Sequence, residues 1–249
     1  MPGTARVFFL LLINVLWVSA CREGHQAKPA DIEISEEVSR DTLPAEPQQP
    51  EEEVSTAPPL ESLPDTTFIR LADYSADFSF DLRYATDNNF MKAQVYECPE
   101  CYTRVKTARA LIAANRDFMA QGVRIRFFDC YRPNSVQYKM WEIVPNPQYV
   151  ANPDKGSIHN KGGAVDITLE TLQGEPLDMG TDFDFFGKRA YHDNMDLPET
   201  ILSNRRLLKE TMEKHGFWSI RTEWWHYNLS TASGDRVADF KWPCPETED

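Results

Sequence analysis

The sequence predicts an α+β domain with a largely antiparallel central sheet flanked by helices. Three observations carry that expectation. Short strands are mixed with two long amphipathic helices, and no βαβ rhythm runs through them. No glycine fingerprint of a doubly wound sheet is present. One strand, 163–169, has two unlike faces, with Val165, Ile167 and Leu169 apolar and Ala164, Asp166 and Thr168 small or polar. The first face suits a core and the second a cleft.

Taken in order, Phe68 to Leu71 reads as a short strand. Phe78 to Tyr84 reads as another, with Phe78, Phe80, Leu82 and Tyr84 alternating onto one face. Tyr102 to Gln121 reads as a helix whose stripe is Val105, Ala108, Ile112 and Met119, closed by Gly122. Val123 to Phe128 is β-branched and aromatic, and Pro133 ends the segment that follows it. Asn134 is the expected cap of a helix reaching Ile143. Glu199 to His215 is the second long helix, with Gly216 behind it. Phe217 to Ile220 and Trp224 to Leu229 complete the sheet.

Composition divides the chain into three parts. Residues 1–20 read as a secretion signal, with Arg6 near the amino terminus, an apolar run from Val7 to Val18, and Val18-Ser19-Ala20 before Cys21. That run is shorter than the roughly 20 residues a membrane span needs. A Cys directly after these small residues is the pattern of a lipobox, so Cys21 is the expected lipidated N-terminus, and its lipid a contact with the membrane. Residues 21–65 read as a disordered acidic, Pro-rich tether, whose net charge from Arg22 on is −9 of the chain's −13. Residues 66–249 are the expected catalytic domain, long enough for one core. No basic stripe suggests nucleic acid, and nothing points to an obligate protein partner. A bacterial envelope location, outer membrane or periplasm, follows from the lipobox, because Arg22 gives no acidic retention signal.

Cys98, Cys101, Cys130 and Cys244 are an even number in an exported domain, which favours disulfides and allows three connectivities. Chain reach selects among them. The helix from Tyr102 to Gln121 advances about 30 Å, and the strand from Val123 to Cys130 returns roughly 26 Å. Cys130 therefore comes back beside the 98–101 segment, and the expected bridges are Cys101–Cys130, with Cys98–Cys244 tying down the C-terminal tail.

The chemistry concentrates in Ser157-Ile158-His159, Gly162 to Asp166, and Glu223-Trp224-Trp225-His226. His159, Asp166 and His226 are three N/O donors, the number a catalytic zinc site uses while one position stays open. Glu223 is then free to move protons as general base and acid, the pattern of metal-assisted hydrolysis. Because Glu223 and His226 are three apart, a fully extended strand would put them on opposite faces, so Glu223 must lie at the strand entry or at a bend. On the strand itself, Trp224 and Asn228 share the face of His226, and Trp225, Tyr227 and Leu229 pack inward. Arg132 is the expected oxyanion partner, oriented by a bidentate pair with Asp129. His25, His192 and His215 read as surface or cap residues, His215 through the helix dipole.

These segments, with Asp81 to Thr86, Asn89-Phe90, Asp129 to Pro133, Met179 to Thr181 and Phe183-Asp184, resemble zinc D-alanyl-D-alanine dipeptidases of the vancomycin-resistance type. That group lies among the D-Ala-D-Ala carboxypeptidases and murein endopeptidases. The resemblance implies zinc on His159, Asp166 and His226, with Glu223 as base and Arg132 as transition-state stabiliser. It further implies that Ser157 and Asp184 hold a small D-amino-acid dipeptide, Asp184 by its ammonium. Two alternatives compete: a carboxypeptidase or peptidoglycan endopeptidase, and a metal-containing peptidoglycan-binding module. Asp184 weighs against the first, since a long donor peptide brings no ammonium, and Glu223 against the second.

Overall fold

The computed structural model describes residues 57–244. The signal segment, Cys21 and most of the tether lie outside the described residues. Five strands form the main sheet, and a two-stranded ribbon and three helices pack around it. Among the described residues no helix is long and apolar enough to cross a membrane.

The ribbon pairs β1 (Phe68–Arg70) with β3 (Tyr102–Arg104), antiparallel. Tyr102 to Arg104 therefore forms a strand, and the first helix, α1, runs over Val105–Met119. Its buried face is Val105, Ala108, Leu111, Ala114 and Phe118, one step round from the expected stripe. Each fully buried aliphatic of this kind contributes about 1.5–3 kcal/mol. Asn115 joins that face because its side-chain oxygen accepts the Ile125 N–H at 2.8 Å.

The main sheet has the order β2-β4-β5-β7-β6. These are β2 (Ser79–Phe80), β4 (Val123–Asp129), β5 (Ala164–Thr171), β6 (Phe217–Ser219) and β7 (His226–Leu229). The β4–β5, β5–β7 and β6–β7 pairs are antiparallel, but β2 runs parallel to β4, so the sheet is mixed. The expected 78–84 strand shrinks to two residues, because the chain turns through Arg83–Ala85. Phe80 accordingly lies exposed while Phe78, Leu82 and Tyr84 are buried.

The remaining helices are α2 (Asn134–Ile143) and α3 (Glu199–Lys214). Pro133 occupies the cap position of α2 and no side chain caps it, so Asn134 is the first helical residue and not the cap. Extended backbone at Pro133 (φ −54°, ψ 142°) leads directly into the helix. Gly216, at φ 85°, follows α3 in the left-handed conformation that glycine adopts without steric cost.

Packing begins before Thr66. Leu60 is buried in the core, and Arg109 donates to the carbonyls of Leu60 and Leu63 and pairs with Asp65. The domain thus takes in the last part of the expected tether, whose leucines find apolar neighbours. Cys101 is bonded to Cys130 and Cys98 to Cys244, with Cα separations of 5.4 and 5.7 Å, the pairing that chain reach predicts. The second bridge holds the C-terminal segment, whose Trp242 stacks on Tyr102 and meets Tyr96.

Candidate metal centre and active site

Three neighbouring strands carry the centre of the site in one row. A bulge between Phe127 and Asp129 puts Asp129 opposite Asp166, and Asp166 lies opposite His226 in the next ladder. A bulge adds one residue to a strand and re-aims its side chains; here it brings Asp129 into the row. His159 arrives from the single turn His159–Lys161 before β5. Two glycines make that turn possible. Gly162 has φ 70°, and a Cβ on Gly163 would stand 2.1 Å from that of Ala232.

His159, Asp166 and His226 each direct one donor atom at a common point. His159 Nε2 is 3.2 Å from His226 Nδ1 and 3.4 Å from Asp166 Oδ1, and His226 Nδ1 is 2.9 Å from Asp166 Oδ1. Donors around a tetrahedral ion at 2.0–2.2 Å stand about 3.3 Å apart, so the triangle has the right edge. The other ring nitrogens fix the tautomers. His159 Nδ1 donates to the Cys130 carbonyl at 2.7 Å, which frees Nε2. His226 Nε2 donates to Asn228 Oδ1 at 3.0 Å, which frees Nδ1. Such outer partners orient metal-ligating imidazoles and raise their basicity. The donor set therefore fits a divalent metal ion.

Burial disfavours the charged form of Asp166, but the two imidazoles outweigh it and hold its carboxyl below the ordinary range. Glu223 lies in the turn between β6 and β7, outside the donor triangle. Burial pushes its carboxyl up, with His226 opposing and Asp166 adding to the shift. A carboxyl raised in this way is suited to taking and returning a proton near neutral pH.

Arg132 is buried, and its Nε and Nη2 both donate to Asp129 Oδ2, at 3.2 and 2.6 Å. The expected bidentate pair is therefore a fork on one oxygen. Tyr96 takes the other, donating its hydroxyl to Asp129 Oδ1 at 2.6 Å. Gln137 accepts from Arg132 Nη1 at 2.9 Å, and the guanidinium stands 5.1 Å over the Tyr84 ring. Asn160 holds two segments together: it donates to the Arg132 carbonyl at 2.8 Å and accepts from the Ser157 N–H at 2.7 Å.

A cavity of about 270 Å³ gathers these groups, and Ser157, His159, Asp166, Asp184, Glu223 and His226 all border it, with Arg132 and Tyr84. Asp184 sits at φ 60°, a left-handed backbone that Asp tolerates better than most residues. Tyr84 donates to its Oδ1 at 3.1 Å, while Oδ2 is buried with no partner. Burial, and then the Asp166 charge, push the Asp184 carboxyl well above its usual range.

Two expectations change here. Trp225, and not Trp224, borders the cavity, while Trp224 turns away to donate to Thr181 Oγ1 at 2.8 Å. Strand alternation starts only at His226 and does not extend back to the tryptophans. His192 is no surface or cap residue, for its ring is partly buried against Tyr227. His215 does close a helix, where Asp117 binds its Nε2 at 2.7 Å.

Comparison with known proteins agrees with this geometry. The family model Peptidase_M15, D-ala-D-ala dipeptidase, matches residues 65–243. The chain belongs to the D-ala-D-ala dipeptidase family. A D-alanyl-D-alanine dipeptidase of Escherichia coli (strain K12) is 33% identical over 168 residues, covering 68% of this chain and 87% of the relative. One from Enterococcus faecalis (strain ATCC 700802 / V583) is 31% identical over 183 residues, covering 65% and 91%. The solved structure of VanYB in complex with D-Alanine-D-Alanine is more distant, at 18% identity and TM-score 0.35, covering 53% of this chain and 76% of that one. Within the family match lie all the donors, Glu223, Arg132, Ser157 and Asp184.

Proposed function

We propose that this chain is a zinc dipeptidase that hydrolyses D-alanyl-D-alanine, with His159, Asp166 and His226 as the zinc ligands. The observation that carries the reading is the donor triangle with Glu223 uncoordinated beside it. Two imidazoles and one carboxylate are a donor set that would suit zinc among the common divalent ions. Zinc, when bound, supplies the Lewis acidity that lets water attack an amide at neutral pH.

The chain's own residues do the rest. Glu223 takes the proton of the attacking water and delivers it to the leaving amine nitrogen. Arg132, kept charged by Asp129, faces the oxygen on which negative charge develops. Asp184 receives the substrate ammonium on the oxygen that has no hydrogen-bond partner, and that positive charge favours the ionised form of a carboxyl that burial otherwise raises, while Ser157 helps to seat the dipeptide. The cavity volume lies just under the roughly 300–1,000 Å³ of pockets for drug-sized ligands, which suits a dipeptide better than a long stem peptide.

Steady-state kinetics on free and N-acetylated D-Ala-D-Ala test this reading. Acetylation should weaken kcat/KM by roughly 2–5 kcal/mol, the cost of leaving a buried charge unpaired, and Asp184→Asn should shrink that penalty. Equal rates on both substrates would favour a carboxypeptidase instead. The reading extends to location: processing before Cys21 and lipidation there would tether the enzyme to an envelope membrane through the acidic segment. Cys21→Ser should release active enzyme into the soluble fraction, and a variant that still sediments with membranes would overturn the anchor.

A further inference from the structure

The partners of Arg132 differ in which of its motions they stop. Nε and Nη2 both donate to the single oxygen Asp129 Oδ2, at 3.2 and 2.6 Å, while the Tyr96 hydroxyl occupies Oδ1. A fork across two carboxylate oxygens fixes a guanidinium within its own plane. A fork on one oxygen is a pivot, about which the group can still turn. The Tyr84 ring, its centroid 5.1 Å from the guanidinium carbon, opposes tilting out of the plane and leaves that turn open. A second point of attachment stops it: Gln137 Oε1 accepts from Nη1 at 2.9 Å.

Gln137 is itself firmly held. It lies fully buried near the start of α2. Its amide nitrogen donates to the Ala151 carbonyl at 2.8 Å, and Ala151 borders the cavity. A carbonyl only accepts and a guanidinium only donates, so the two partners fix which way the amide faces. The start of α2 is anchored as well. The Asn134 N–H donates to the Ala238 carbonyl at 3.1 Å, and the Ser135 N–H to Asp239 Oδ1 at 2.7 Å. A guanidinium has five N–H donors. Among the described residues, the bonds to Asp129 and Gln137 engage three of them and spare one hydrogen on each terminal nitrogen. Being uncharged, the amide orients the group without offsetting its charge, as a second carboxylate would.

We propose that Gln137 is a positioning residue for Arg132, whose side-chain oxygen stops the guanidinium from pivoting on Asp129 and so aims its two spare N–H groups at the developing oxyanion. Gln137 does not line the cavity, so it acts through Arg132 and touches no reacting atom. The oxyanion develops only on the way to the transition state, so lost aim falls on kcat and leaves KM and the metal unaffected. The inference rests on the reading of Arg132 as the oxyanion partner.

A double-mutant cycle on the metal-loaded full chain tests it, with D-Ala-D-Ala as substrate and Gln137→Met, Arg132→Ala and the pair as variants. Gln137→Met keeps the side chain's length and removes the amide. It should lower kcat about 10- to 100-fold, as small misplacements of groups at a reacting centre do, with KM and zinc content unchanged. Arg132→Ala should cost about 10²- to 10³-fold, the range for removing an oxyanion donor. On that background Gln137→Met should cost about twofold at most, because its partner is already gone. A merely structural role would give the same fold loss in both backgrounds. That result, or full kcat in Gln137→Met, would overturn the proposal. Should Gln137→Met fail to fold, Gln137→Asn draws the oxygen back from Arg132 and enters the same cycle. Full activity in Arg132→Ala would instead overturn the underlying assignment of Arg132, which separates the two failures.

Discussion

Asp166 and His226 stand on paired strands, whereas Glu223 and Asp184 stand on turns, and the two sets are held in different ways. The strand-borne pair faces across one ladder, so backbone hydrogen bonds fix the spacing of their donor atoms. Asp184 has a left-handed backbone and leans on Tyr84, and Glu223 depends on a turn gripped from residues 191–193. Two of the three donors thus have their separation set by strand pairing, and His159 joins them from a turn anchored by its bond to the Cys130 carbonyl. Groups that meet the substrate or exchange protons lie on loops, where strained conformations gather at functional sites.

Substitution on each side should break the comparison most sharply. Glu223→Ala should cost close to 10⁴ in kcat, the upper end for acid–base help, while zinc stays bound. His226→Ala should lose the metal. Metal analysis of the two purified variants checks this, and an empty Glu223→Ala protein would contradict the division.

That division was only partly legible in the sequence. The Asp inside the 163–169 strand, and a His in the last one, were readable because period-2 alternation sets Asp166 apart from Val165 and Ile167. The two bridges followed from helix rise and strand rise. What escaped depended on tertiary contact. Alternation made Tyr84 a core residue of a long strand, although a turn aims its hydroxyl at Asp184. Tyr96 acts on Asp129, and Asn160 on the Arg132 carbonyl, from far along the chain, whereas Gln137 on Arg132 and Asn160 on Ser157 are close in sequence but are set by the turns between them and by no periodicity. His192 was misplaced for the same reason, since the Tyr227 ring it packs against comes from a later strand. Asn228 was the one such residue with a signal, two positions after His226 on the same strand face.

Asn228 sharpens the comparison at a smaller scale. Asn228→Ala leaves the ladder intact but removes the acceptor that keeps His226 Nε2 protonated. Zinc affinity should fall about 10- to 100-fold, as expected for an outer partner of a ligating imidazole, and competition with a chelator would measure it. Unchanged affinity would mean that strand pairing alone orients His226.

The two bridges bear on how the metal finds its place. Reduced, the chain offers Cys98, Cys101, Cys130 and Cys244 as thiols, and thiolates are soft ligands that compete well for zinc. Cys98 and Cys101 even have the spacing of a chelating pair, and Cys130 is adjacent in the fold. Oxidation removes all four from the competition. It also locks in place the residue whose carbonyl sets the His159 tautomer. Zinc supplied to a reduced, unfolded chain thus meets decoy donors, whereas the oxidised chain presents, among the described residues, the His-Asp-His set. Bridges that close before the ion arrives would leave it the His-Asp-His set to bind.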